Sequence, residues 1–285
     1  FAGGVRFMNY YTPEKAGTQY RPTANDYLVC HSSLFDTNVI IHEFGHSLGL
    51  VDYYDVSYSG INAVGNYDMQ SSSYGDWNAY SKYAVGWIEP TVVTGLEPGE
   101  TREYTIGSMP LTGDAIVIPA AGAQQDGTPF NEYILIDLFT DEGLHQYDAA
   151  RCELEGAKGV RIYHVNSNME RRELTYDLAG DTVFPIGTIH VANDYKEPDR
   201  GQYLIELIQQ GGNNTFTDLE NLRTNLTGKD LFKAGDQFSA EKYDEFFYDG
   251  KMDDGMEFGY TVKVVSIETN EAGETTAVIS VTRQE

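Results

Sequence analysis

Two histidines four positions apart, with a glutamate directly after the first, stand in the run Ile41-His42-Glu43-Phe44-Gly45-His46-Ser47-Leu48-Gly49-Leu50-Val51-Asp52. On a helix, at about 100° per residue, His42 and His46 share one face a single turn apart, so their imidazoles can hold one ion. Zn²⁺ in a tetrahedral site suits such nitrogen ligands. Glu43 can reach a water on that ion without ligating it, which is the position of a general base. A zinc of this kind takes a third protein ligand. Asp52 lies six residues after His46 and beyond Gly49, whose access to positive φ can end the helix and turn the chain back. Asp55, in the run Asp52-Tyr53-Tyr54-Asp55, is the rival for the same place.

The elements that must position these groups change in texture near Pro90. Val39, Ile40, Phe44 and Leu48 recur at three- and four-residue steps, with Asp36 or Thr37 as N-cap and Gly49 as stop, and predict a helix over 36–50. Trp77, Tyr80, Tyr83 and Ala84, followed by Gly86, predict a second over 76–85. Beyond Pro90 short β-branched and aromatic segments alternate with Gly, Asp and Asn clusters. They predict strands at 101–106, 115–118, 132–138, 159–165, 202–208, 260–268 and 275–281. Loops are expected at 193–200 and 248–255. The expected class is α+β, with a helical portion over 1–91 and an antiparallel β-rich region over 92–285, as one sandwich or two small β-units.

The chain has 285 residues, enough for about two domains and a sizeable core. Asp and Glu number 44 against 19 Lys and Arg, a formal charge of −25 that repels a phosphate backbone and excludes nucleic acid as a partner. An anionic membrane surface is disfavoured alike, and no run approaches the ~18 apolar residues of a spanning helix. Most of these carboxylates read as a solvated surface that keeps the protein a monomer, while some can be oxygen ligands for Ca²⁺. With only Cys30 and Cys152, a cysteine zinc site is excluded. The two cysteines read equally as one disulfide of an oxidising compartment or as two buried thiols.

The pattern His-Glu-x-x-His-x-x-Gly-x-x-Asp resembles that of the metzincin clan, and the longer string from His42 to Asp55 resembles the immune inhibitor A family of secreted bacterial metallopeptidases. Asn66-Tyr67-Asp68-Met69 is similar to the clan's Met-turn, whose methionine, here Met69, forms an apolar floor beneath the metal. Trp77-Asn78-Ala79-Tyr80-Ser81-Lys82 and Gly86-Trp87 resemble the helix and Gly-Trp step that close the catalytic domain. Glu132 to Asp137, Gly159 to Val165 and Asp230-Leu231-Phe232 resemble strand motifs of the family's C-terminal region, which makes His164 structural. His31, His145 and His190 have no ligand-like spacing.

The resemblance implies a secreted zinc endopeptidase with Zn²⁺ on His42, His46 and Asp52, Glu43 as general base, a protein or peptide as substrate and no insertion into a membrane. Calcium is expected as a structural ion, with Asp55, Asp68, Asp76 and the later Asp-rich loops as its ligands. Two departures stand out. Only 41 residues precede His42, where the clan places a sheet and a helix, so a reduced member, a fragment or a maturation product is expected. Where several metzincins have a tyrosine two residues after the methionine, this chain has Ser71, with Tyr67 and Tyr74 nearby. Two other readings compete: a peptidase-like binding or adhesion module, and a calcium-stabilised structural domain.

Overall fold

The computed structural model describes residues 3–6, 26–29, 36–55, 59–73, 75–171, 186–188 and 203–285, the short strands at 3–6, 26–29, 170–171 and 186–188 by their backbone alone. The chain divides into two compact units, residues 1–51 and 52–285. In the first, strands β1 (Gly3–Arg6) and β2 (Asp26–Val29) pair antiparallel, and helix α1 spans Thr37–Ser47. Cys30, His31, Tyr74, His190 and the loop expected at 193–200 lie outside the described residues.

The second unit begins with a loop-rich stretch and helix α2 (Ala79–Ala84). Asn78 caps this helix by accepting from Ser81 N, and Gly86, at φ +75°, ends it. The helix is shorter than its periodicity predicts, because Asp76 and Trp77 are spent in the turn leading to the cap.

Strands then follow: β3 (Thr91–Val92), β4 (Thr101–Gly107), β5 (Ala115–Ile118), β6 (Glu132–Thr140), β7 (Lys158–Asn166), β8 (Met169–Arg171), β9 (Ile186–Thr188), β10 (Ile205–Ile208), β11 (Gln237–Phe238), β12 (Tyr260–Thr269) and β13 (Thr275–Arg283). Two short helices interrupt them, α3 (Met109–Thr112) and α4 (His145–Arg151), neither with an apolar periodicity long enough to read in sequence. One sheet has the order β10-β7-β6-β5-β3 and the other β11-β12-β13-β4; all pairings in them are antiparallel except β3 with β5. The fold is α+β.

Side-chain alternation along β6 and β7 places the chemistry. Ile134, Ile136, Leu138, Val160 and Ile162 face one way and share a single apolar cluster with Val262, Val264, Ala277, Ile279 and Val281 of the other sheet. Tyr133, Leu135, Asp137, Phe139, Arg161 and Tyr163 face the other way and are equally buried. Over this second face lie Tyr67, whose ring meets Phe139 edge-on at 5.4 Å, and Tyr83, which meets Tyr133. Covered on both sides, β6 is buried at all nine positions, which explains its unbroken run of large residues.

Candidate metal centre

Helix α1 is set by its ends. Asp36 accepts from Val39 N at 3.0 Å, satisfying one of the first-turn amides. At the other end Gly49 adopts φ +99°, Gly49 N donates to His46 O, and Leu50 N reaches back to Gly45 O at 3.1 Å. A side chain at Gly49 would meet no neighbour, so the demand for glycine there comes from the backbone conformation alone.

That reversal delivers the Leu50 carbonyl to the His46 ring, whose Nδ1 lies 2.9 Å from Leu50 O. A carbonyl oxygen only accepts, so Nδ1 carries the proton and Nε2 keeps its lone pair for a metal. The His42 and His46 rings stand edge-on with centroids 4.9 Å apart. On the same continuous run of chain Asp52 follows the turn, and His42, His46 and Asp52 each offer a ligand atom within 4.8 Å of the others. Asp55 is not in that group; its Oδ2 accepts from Ser59 N at 3.0 Å.

Glu43 is 3% exposed, and its Oε2 has no hydrogen-bond partner among the described residues. A buried carboxylate oxygen left bare is costly unless something with a proton to share occupies the space beside it. Two imidazoles, one with an assigned lone pair, a carboxylate and an adjacent bare carboxylate oxygen fit a hydrated divalent ion of the zinc type. Of the apolar positions of α1, Val39 and Ile40 are half-buried, whereas Phe44 is 48% exposed and Leu48 is also exposed.

In the second unit the segment bearing Met69 is built around Asp68. This fully buried carboxylate accepts from Gln70 N and Asn78 N, each at 2.6 Å, and from Ser81 Oγ at 2.9 Å, and so joins the loop to the start of α2. Burial outweighs these bonds and raises its pKa to about 7. Met69 is buried, and Tyr53 N donates to Gln70 O. The turn before it needs Gly65, at φ +61°, because a Cβ there would sit 2.6 Å from the Phe216 ring.

Tyr67 packs under Arg161, whose guanidinium lies 5.1 Å from the ring centroid and forms a buried bidentate pair with Asp137 at 2.7 and 2.8 Å. Ser71 accepts from Asn62 Nδ2. The Asp55, Asp68 and Asp76 carboxylates, expected as calcium ligands, are engaged by protein donors, Asp76 by Lys82 Nζ at 2.7 Å, and none belongs to a ligand group among the described residues.

Of the remaining histidines, His145 is buried against Phe139, and burial, then Arg161 and Lys82, holds it well below its usual pKa. His164 is also buried, but with Glu132 and Asp253 it forms a second group whose ligand atoms lie within 4.8 Å. Nothing in the sequence signals that group, since its members come from three distant segments. Cys152 is a buried free thiol, and burial pushes its pKa up to about 11.

A helix that spaces two imidazoles by one turn, with a buried carboxylate directly after the first, fits what a hydrolytic metal centre requires. Residues 14–95 are similar to the family model of the immune inhibitor A peptidase M6 catalytic domain, a match that supports a metallopeptidase. No match was found among curated proteins or among solved structures.

Proposed function

We propose that the protein is a secreted zinc endopeptidase acting on extracellular proteins, with His42, His46 and Asp52 as the zinc ligands and Glu43 as general base. Zinc supplies, when bound, a Lewis acid for the scissile carbonyl and a lowered pKa for the attacking water. His46 presents Nε2 because Leu50 O fixes its tautomer. Glu43 takes the proton of the attacking water and returns it to the leaving amine. The observation that carries this reading is the bare, buried Oε2 of Glu43, one residue from His42 on the helix that bears both imidazoles.

The proposal extends to a Met-turn floor at Met69, a sandwich-like β region over 92–285 beside a catalytic portion over 1–91, and a monomeric state. Glu43→Gln keeps the shape of the side chain and removes its basicity. The variant is expected to retain its metal and to cleave casein about 10²–10⁴-fold more slowly. Wild-type turnover in that variant would remove Glu43 from the mechanism.

A further inference from the structure

The geometry points to a second divalent-cation site, formed by Glu132, His164 and Asp253 with Glu206 and Asn214 beside them, at the end of the β6-β7-β10 sheet. In the strand register His164 on β7 is opposite Glu206 on β10, while Glu132 on β6 sits diagonally across from it on the same face. His164 Nε2 and Glu132 Oε1 are 2.8 Å apart, a hydrogen-bond distance that has to open by only about half an ångström to reach the ~3.4 Å between two ligands of one tetrahedral ion with bonds of about 2.0–2.2 Å.

Asp253 comes from the loop that follows residues 248–250 and is held in place from both sides. Its backbone N and that of Asp254 donate to the two oxygens of Glu132, and its Oδ2 accepts from Asn166 Nδ2 at 2.9 Å. The Phe247 ring covers His164 at 5.0 Å.

Two observations distinguish this group from a self-contained ion pair. The first is charge: the ligand group sets two carboxylates against one imidazole, Glu132 is buried, and no Lys or Arg is paired with Glu132, His164 or Asp253 among the described contacts. Even a protonated imidazole leaves excess negative charge in a dry place, which an ion of two positive charges offsets. The second is Asn214, only 8% exposed. Its Nδ2 donates to Glu206 Oε1 at 2.7 Å, which holds the amide against the cluster, while its Oδ1 has no partner among the described residues. A buried amide oxygen left bare calls for a partner, and a cation held beside Glu206 supplies one. One nitrogen among oxygens favours a borderline ion such as Zn²⁺ over Ca²⁺, which takes oxygen ligands throughout.

The site needs nothing from α1, so it is tested in the presence and absence of the helix histidines. Zinc per chain is measured by mass spectrometry after dialysis against a weak chelator, for the wild type, H42A/H46A, D253N and the triple variant. D253N keeps an acceptor for Asn166 on a partly exposed loop and is the substitution that spares the fold. The expected content is two, one, one and none, and zinc raises the melting temperature of H42A/H46A but not of the triple variant. An H42A/H46A chain that binds no zinc, or a D253N chain that still binds two, overturns the site; retention in D253N means ions held by surface carboxylates. A melting temperature raised by calcium and not by zinc overturns the choice of ion. If instead the wild type and H42A/H46A each hold one zinc, the helix site has failed and the second stands.

Discussion

At the scale of single residues the candidate centre rests on a division of labour between two aspartates three positions apart. Asp52 joins His42 and His46 in one ligand group, whereas Asp55 accepts from Ser59 N and donates its own N–H to Ile61 O. Asp52→Asn is expected to weaken zinc binding by at least about 100-fold, and Asp55→Asn to leave it within a few-fold, as read by competition with a chromophoric chelator. Asp68 makes a different prediction. Its folded pKa, about 7, lies above its ordinary 3.8, so its contribution to stability is fully present below about pH 4 and is lost as pH rises through 7. The nearby Asp76 carboxylate adds to the effect of burial, which the bonds from Asn78 N, Gln70 N and Ser81 Oγ oppose without cancelling. The unfolding free energy of the wild type minus that of Asp68→Asn should therefore shrink by roughly 4 kcal/mol or less between pH 4 and pH 8.5, measured by denaturant titration. A difference that is flat or grows with pH would show that the carboxylate is not held as described.

Among the elements, α1 and the β6–β7 pair show how differently local and distant information act. In α1 the cap, the stop and the histidine spacing all lie within fourteen residues, from Asp36 to Gly49, and the helix forms where its sequence places it. The long strands also form where their β-branched runs predict, and 115–118 has those bounds. What the pattern does not reveal is the charged pair inside the sheet. Asp137 and Arg161 are 24 positions apart and meet only because the register sets them opposite each other. With both groups fully buried, Arg161→Met leaves Asp137 uncompensated and is expected to destabilise the fold by about 3–5 kcal/mol. The double variant D137L/R161M should recover most of that loss, since it removes both charges, and chemical denaturation of the three proteins distinguishes the cases. A single variant as stable as the wild type would mean the pair adds nothing to holding Tyr67 on the sheet.

For the whole molecule, the unit over 52–285 contains both the Met69 segment and the β-rich region, and the two are stitched together. Leu207 N donates to Ala63 O, Leu226 N to Gly65 O and Asn62 N to Phe216 O, while Tyr67 lies on the face of β6 and β7. A chain ending at residue 95, which keeps the whole segment matched to the peptidase family, should thus fail to fold, with poor amide dispersion and no cooperative thermal transition. A well-dispersed spectrum from that fragment would show the loop to be self-supporting. The sequence alone determined the metallopeptidase run from His42 to Asp52, the helix beneath it and the strands after Pro90, because caps, periodicity and ligand spacing act over a few residues. Only the tertiary structure decided that Arg161 supports Tyr67, that Asp68 binds its loop to α2, and that Glu132, His164 and Asp253 converge. Those contacts depend on strand register and on loops brought together from up to 121 positions apart, and no local pattern encodes such pairings.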